Sequence, residues 1–259
     1  MATALVTGAS AGIGEEFAYA LARERYELVL VARREARLAE VAEKARVFGS
    51  GKVLTIAADL SRRETPAAIL RQLTEQNVAI EYLVNNAGFG THGRFSELPL
   101  EREFEEIDLN VGALVALTRL FVPAMVARRH GTIINVASTA AFQALPYMAT
   151  YAATKAYVVS FSLAMAAELR GTGVTIMALC PGPTHSEFHA VAGIAQVRMP
   201  EFMFMDAKTV AAQGIAAARR GKALHINGKL NRALAESNRV SPRTFVTRMV
   251  ARFYRPGGG

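Results

Sequence analysis

Residues 2–34, ATALVTGASAGIGEEFAYALARERYELVLVARR, decide the fold. Ala2–Val6 is a short apolar run with the length and composition of a buried strand. Thr7, Gly8, Ser10, Gly12, Ile13 and Gly14 follow at once, and a pattern of helical period then runs from Ile13 to Arg25, ahead of a second strand-like run at Glu27–Val31. Glycines between a strand and a helix let the chain turn tightly and bring backbone N–H groups to a helix N-terminus, where they suit a pyrophosphate. A glycine-rich connection in an unrelated α/β protein would look the same. The position after the first of many strands is what favours a dinucleotide site.

Outward from this stretch the alternation continues. Strands are predicted at Lys52–Ala57, Tyr82–Asn85, Thr132–Val136, Val174–Cys180 and Ala223–Ile226. Helices are predicted at Arg34–Phe48, Thr65–Gln76, Leu98–Arg129 with internal breaks, Tyr151–Arg170 and Thr209–Arg219. Such alternation is the signature of a parallel sheet covered on both faces. Seven strands and their crossovers use the 259 residues, so one domain over 1–259 is expected: α/β, doubly wound, with a seven-stranded parallel sheet flanked by helices.

Composition sets the outer bounds. A chain 51% hydrophobic and 20% charged is neither disordered nor of low complexity. The single Cys180 can form neither an internal disulfide nor a CxxC metal knuckle, which argues against an oxidised secreted scaffold. The N-terminus lacks a basic segment followed by an apolar one, and no uninterrupted apolar run of about 18 residues stands out. A cytoplasmic protein is therefore expected.

Thirty basic against 22 acidic side chains give a formal charge of +8. The excess lies late, where Arg243, Arg248, Arg252 and Arg255 interleave with Phe245, Met249 and Phe253. Residues 236–259 thus read as a basic C-terminal helix and tail, either an ordinary packed helix with a solvated face or a peripheral membrane contact. No aromatic RNA-binding motif or zinc pattern accompanies it, so no nucleic-acid partner is expected. Residues 181–206 fit neither strand nor helix period and are read as a substrate lid over the crevice, with a buried connector as the alternative.

The second strand ends at Arg33 and Arg34, where an acid would hold the ribose hydroxyls of NAD; arginine there suits a 2′-phosphate and predicts NADP(H). Solvated charges at a helix start are the alternative. Asp59 and Leu60 follow the third strand, Asp59 being an adenine contact or a cap with Ser61. Asn86, Ala87 and Gly88 follow the fourth, where small and amide residues let the chain pass beneath a cofactor or simply turn. Tyr151 and Lys155, four apart, share a helix face, and a nearby ammonium favours phenolate. Ser138 after the fifth strand could polarise a substrate oxygen in the same crevice. Phe142, Leu145, Met148, Phe188, Val191, Phe202, Met203 and Phe204 are candidates for an apolar substrate wall, or for plain core. His92, His185 and His189 form no metal-ligand set and read as isolated loop residues; no metal is expected.

These residues in this order, TGASAGIG at 7–14, NNAG at 85–88, Asn110 in LNVGA, Ser138 in NVASTA, YAATK at 151–155 and Pro181–Gly182, resemble the classical short-chain dehydrogenases/reductases over most of the chain. The resemblance implies a Rossmann fold that binds NAD(P) and couples hydride transfer to Tyr-mediated proton transfer. It implies Tyr151 as acid/base, Ser138 as the group holding the substrate oxygen, and Lys155 as the residue that lowers the Tyr151 pKa and binds the nicotinamide ribose. Asn110 would support an ordered water beside Lys155, Thr184 would contact the nicotinamide amide and phosphate, and Asp59 the adenine. A homodimer or homotetramer joined through Asp108–Met125 and the helix from Tyr151 is also implied. Ala141 departs from the glycine found there in many relatives, which bears on pocket shape. The expected reaction is interconversion of a medium or large apolar ketone, aldehyde or ketoacyl compound with its alcohol; a cofactor-binding protein with little turnover and an NAD-dependent alcohol dehydrogenase are the alternatives.

Overall fold

The computed structural model describes residues 2–185, 187–188, 192–194, 201–238 and 241–256. Its seven strands are β1 (Thr3–Thr7), β2 (Glu27–Ala32), β3 (Val53–Ala57), β4 (Ile80–Asn85), β5 (Gly131–Val136), β6 (Val174–Cys180) and β7 (Leu224–Ile226). They form one sheet in the order β3-β2-β1-β4-β5-β6-β7, parallel throughout. Between them run α1 (Gly12–Arg23), α2 (Glu35–Phe48), α3 (Thr65–Glu75), α4 (Leu100–Ile107), a π-helical turn (Asp108–Ala113), α5 (Leu114–Arg128), α6 (Ala149–Glu168) and α7 (Ala207–Arg219), followed by α8 (Lys229–Ser237) and α9 (Arg243–Tyr254). This is a single-domain Rossmann fold. All five residues of β1 are buried, because helices cover both of its faces and neither side has to be polar.

One core layer packs Ala4, Val6, Leu28 and Leu30 of the sheet against Phe17, Leu21, Leu38 and Val41 of α1 and α2 and Val210 and Ile215 of α7. The opposite layer packs Leu5, Val29, Leu83 and Ile133 against Ile69, Leu73, Leu117, Phe121 and Met125 of α3 and α5. The strand order reverses between β1 and β4, whose carboxyl ends therefore splay connections to opposite sides and open a crevice.

The predicted elements differ from the observed ones by a residue or two at most ends. Two differences have physical causes. The Leu98–Arg129 prediction divides into α4, the π-helical turn and α5, and the combined segment Leu100–Arg128 is long and apolar enough by composition to cross a membrane. Leu117, Phe121 and Met125 are buried against the sheet, so that apolarity serves the core. Helix α8 was not expected; its Leu230 and Leu234 stay exposed, and the side it buries carries Asn231 and Ala235.

Candidate active site

The crevice holds a cavity of about 440 Å³. At one end stands the β1–α1 turn, in which Gly8 and Gly12 adopt positive φ of 64° and 58° that other residues rarely accept. Gly8, Ser10, Gly12 and Ile13 line the cavity, whereas Gly14 lies behind it. A Cβ on Gly14 would fall 2.3 Å from the Gly8 carbonyl oxygen and 2.5 Å from Asn86 Nδ2, so its role is close packing of α1 on the turn. The turn is clamped to the end of β4. Asn86 Nδ2 donates to the Thr7 and Gly8 carbonyls at 2.9 and 3.3 Å, and Thr7 Oγ1 accepts from the Asn86 and Ala87 amides at 2.9 and 3.0 Å. Asn85 turns away into a buried ladder, Asn85 Nδ2 donating to Asn135 Oδ1 and Asn135 Nδ2 to Ser162 Oγ.

Arg33, Arg34, Asp59 and Leu60 line the same end of the cavity. Arg34 Nη2 donates to Ser10 Oγ at 3.3 Å and pairs with Glu187 Oε2 at 2.7 Å. Asp59 Oδ1 accepts from the Ser61 amide and hydroxyl, and although burial pushes its carboxyl up, these bonds and the Arg33 and Arg62 charges bring it below its ordinary value. A positive guanidinium, a glycine cradle without side-chain bulk and the free backbone of a helix start fit a phosphorylated dinucleotide. Asn86, Ala87 and Gly88 form the floor, and Pro181, Gly182 and Thr184 after β6 close the far wall. Thr184 Oγ1 donates to the Gly182 carbonyl at 3.0 Å. A Cβ on Gly182 would strike Asn231 Nδ2 at 2.2 Å, so α8 seats this wall, a contact that local sequence pattern does not reveal.

Ser138, Tyr151 and Lys155 meet at the other end, all three lining the cavity. Ser138 caps the turn Thr139–Phe142, its Oγ accepting from the Ala140 amide at 3.1 Å. Burial pushes the Tyr151 phenol above its ordinary range, and the nearby Ser138 hydroxyl pulls it back. Lys155, 5% exposed, donates from Nζ to the Val136 carbonyl at 2.9 Å and lies 5.7 Å from the Tyr151 ring centroid. Burial brings its ammonium down to about 8, opposed by the negative charge of Glu106. The sequence reading expects Lys155 to lower the Tyr151 pKa; in this structure the lowering comes from Ser138, and burial outweighs it. Asn110 stands behind the wall on the π-helical turn, 1% exposed, with Nδ2 donating to the Phe89 carbonyl and to Thr154 Oγ1, and Oδ1 accepting from the Phe89 amide.

The cavity beyond Ser138 and Tyr151 is largely apolar. Leu145, Met148 and Phe188 line it, as expected, together with Phe89, Ile194 and Tyr254, which the sequence did not single out. Phe188 packs on Tyr151 with ring centroids 5.1 Å apart. Phe142 is a correction: it packs against the buried cluster of Leu114, Ala137 and Val158 rather than facing the cavity, because its 3-10 turn directs it toward α6. Met203 and Phe204 are also outside the lining, Phe204 stacking instead on His185 at 4.8 Å. Val191, His189, the Phe202 side chain and part of the expected 181–206 lid lie outside the described residues. His92 and His185 are not isolated, since His92 Nε2 meets the Tyr254 carbonyl at 2.6 Å and His185 pairs with Glu201 at 3.0 Å. Among the described residues no group of side chains has the makings of a metal site.

Comparison with known proteins agrees with this geometry. Residues 2–196 match the family model described as short chain dehydrogenase. The chain is 36% identical over 180 residues to the ketoacyl reductase HetN of Nostoc sp., a match that covers 70% of this chain and 62% of that protein. It thus spans about six-tenths of that relative's length. Among solved structures, a short-chain dehydrogenase from Sphingobium yanoikuyae in complex with NADPH superposes with a TM-score of 0.82 at 32% identity, covering 93% of this chain and 94% of the other. The bulky-bulky ketone specific alcohol dehydrogenase from Comamonas testosteroni gives 0.78 at 28% identity, covering 93% and 92%. With the strand order, the glycine turn and the Ser138–Tyr151–Lys155 grouping in place, the family match over three-quarters of its length makes this chain a member of the short-chain dehydrogenase family.

Proposed function

We propose that the protein is an NADP(H)-dependent oxidoreductase that interconverts a bulky apolar carbonyl compound with its secondary alcohol. The observation that carries this reading is the continuity of one cavity from Arg34 and the glycine turn to Ser138 and Tyr151. Gly8, Ser10, Gly12 and Ile13 would hold the pyrophosphate, Arg34 with Ser10 and Arg33 the 2′-phosphate, Asp59 and Leu60 the adenine side, and Asn86–Gly88, Lys155 and Thr184 the nicotinamide half. When bound, the nicotinamide supplies a hydride to the substrate carbon or takes one from it. Ser138 and Tyr151 hold the substrate oxygen, on which negative charge grows in the reducing direction, and the Tyr151 hydroxyl gives that oxygen its proton. Lys155 places a positive charge beside the phenolate that remains. Asn110 fixes Phe89 and Thr154, so the floor and the α6 helix keep their spacing.

The apolar end suits a medium or large ketone, aldehyde or ketoacyl substrate, since burying apolar surface against Phe89, Met148 and Phe188 gains about 25 cal/mol per Å². The NADPH-bound and bulky-ketone relatives support both choices. Exposed Tyr157 and Leu163 on α6, with Leu100, Phe104 and Ile107 just ahead of Asp108, support a homodimer or homotetramer joined through Asp108–Met125 and α6. On α9, exposed Phe245, Met249 and Phe253 beside Arg248 and Arg252 support peripheral contact with an anionic membrane, which co-sedimentation with anionic vesicles tests. The lone, buried Cys180 suits the reducing cytoplasm. Fluorescence titration with NADPH and NADH, followed by NADPH oxidation over a panel of bulky ketones and ketoacyl compounds, tests the main reading. Tighter NADH binding, or no turnover across the panel, would overturn it.

A further inference from the structure

Helix α4 is inside out. Leu100, Phe104 and Ile107 are 59%, 56% and 41% exposed, whereas Glu103 and Glu106 are 5% and 0% exposed. Two carboxylates buried in place of available apolar side chains cost free energy unless they are bonded and do something for the site.

Their partners lead to the proton-transfer residues. Glu103 Oε1 accepts from Thr91 Oγ1 at 2.6 Å, and its Oε2 accepts from Thr150 Oγ1, the residue immediately before Tyr151. Glu106 Oε2 accepts from the Thr91 amide at 2.9 Å and lies 2.8 Å from Thr91 Oγ1, whose single hydroxyl proton it shares with Glu103 Oε1. Four residues on, Asn110 holds Thr154, the residue immediately before Lys155. The α4 segment and the π-helical turn after it thus grip α6 one position ahead of each residue that handles the proton. Glu106 lies between the two grips, on the same helix face, and its second oxygen, Oε1, is buried without a hydrogen-bond partner among the described residues.

We propose that Glu103 and Glu106 are positioning residues of the proton-transfer site: Glu103 fixes the α6 turn that carries Tyr151, and Glu106 anchors the loop after β4 while holding a buried negative charge toward the Lys155 ammonium. The proposal deepens the functional reading above and rests on its assignment of Tyr151 and Lys155. Lys155 is buried with a carbonyl at Val136 as its hydrogen-bond acceptor, so its ammonium needs a compensating anion. The titratable groups that act on Glu106 are Glu103 of its own helix and Lys155 of α6. Glu106 in turn acts on both Lys155 and Tyr151, favouring the ammonium and disfavouring the phenolate. Burial, reinforced by the like charge of Glu103, pushes the Glu106 carboxyl up to about 7, against the bonds from Thr91 and the charge of Lys155. The charge is therefore present or absent according to pH near neutrality.

Glu106→Gln tests this, because the amide oxygen can still accept from Thr91 while the charge is lost. The variant should keep its fold. Its kcat/KM–pH profile should have the Tyr151–Lys155 limb displaced to lower pH by about one unit, with kcat changed more than KM. Glu103→Gln, which keeps an acceptor for Thr150, should shift that limb less. An unshifted limb in folded Glu106→Gln overturns the proposal. A readout without turnover covers a variant that fails to fold, or a wild type that turns over no carbonyl compound. In protein labelled with ¹³C at the glutamate carboxyl carbons, one signal should titrate at higher pH in Lys155→Met than in wild type, because the ammonium that favours its charged form is gone. If no glutamate midpoint moves between the two proteins, the proposal fails even where the enzyme is active; if one moves while no carbonyl compound is turned over, the functional reading fails by itself.

Discussion

Gly14→Ala separates two physical effects that predict opposite signs. Gly14 lies in the first turn of α1, and by helix propensity alone alanine there would stabilise the protein by about 1 kcal/mol. The structure says otherwise: the new Cβ would sit 2.3 Å from the Gly8 carbonyl oxygen and 2.8 Å from the Gly8 carbonyl carbon, backbone atoms that no rotamer change can move aside. Normal contact requires roughly 1 Å more, so α1 must back away from the turn. Overpacking of this kind costs about 1–3 kcal/mol. The upper end applies, because Gly8 is itself held by Asn86, and with the propensity gain deducted the net loss is about 2 kcal/mol. For a domain of this size that lowers the melting temperature by about 4–8 °C. The same displacement pulls the α1 N-terminus from the pyrophosphate position, so NADPH and NADH should both weaken. Thermal unfolding by circular dichroism and parallel fluorescence titrations check both parts. A melting temperature that rises or stays constant would refute the packing argument.

Three further outcomes are expected. Arg34→Gln should weaken NADPH by about tenfold, the lower end for a half-exposed charge-assisted bond, and leave NADH within about twofold; equal losses for both in a titration would show that Arg34 does not read the 2′-phosphate. Stability by denaturant titration should fall as pH rises from the ordinary glutamate value of 4.5 through about 7, because the folded state retains the Glu106 proton that the unfolded chain releases, and Glu106→Gln should flatten that window. From about 8 to 10.5 stability should rise with pH, since the unfolded chain holds the Lys155 proton that the folded protein has lost, and Lys155→Met should remove the rise.

The strand segments and the glycine turn were legible because both are local. A buried parallel strand reads as an unbroken apolar run, and ALV, LVLV and IMALC are such runs in sequence. Thr7–Gly14, Asn86–Gly88, Ser138, Tyr151 and Lys155 stand at strand ends or helix starts, where spacing alone brings them to one edge of the sheet. The α4 carboxylates were not legible. The run LEREFEEID looks like a solvated charged face, and only packing against α6 and the loop at Thr91 shows that Glu103 and Glu106 point inward. Phe142 was misread for a related reason, as its neighbours Ser138 and Met148 line the cavity while its own 3-10 turn sends it the other way. Tyr254 and Asn231 reach the site from far along the chain, through contacts that leave no periodic trace.

The central claim is that Tyr151 moves the proton at a carbonyl held in the NADP(H) cavity. The most direct test compares wild type with Tyr151→Phe for NADPH affinity and for NADPH oxidation in the presence of a bulky ketone accepted by the wild type. The account predicts affinity within about twofold of wild type and turnover reduced by about 10²–10⁴-fold. Turnover that survives the loss of the hydroxyl would contradict it.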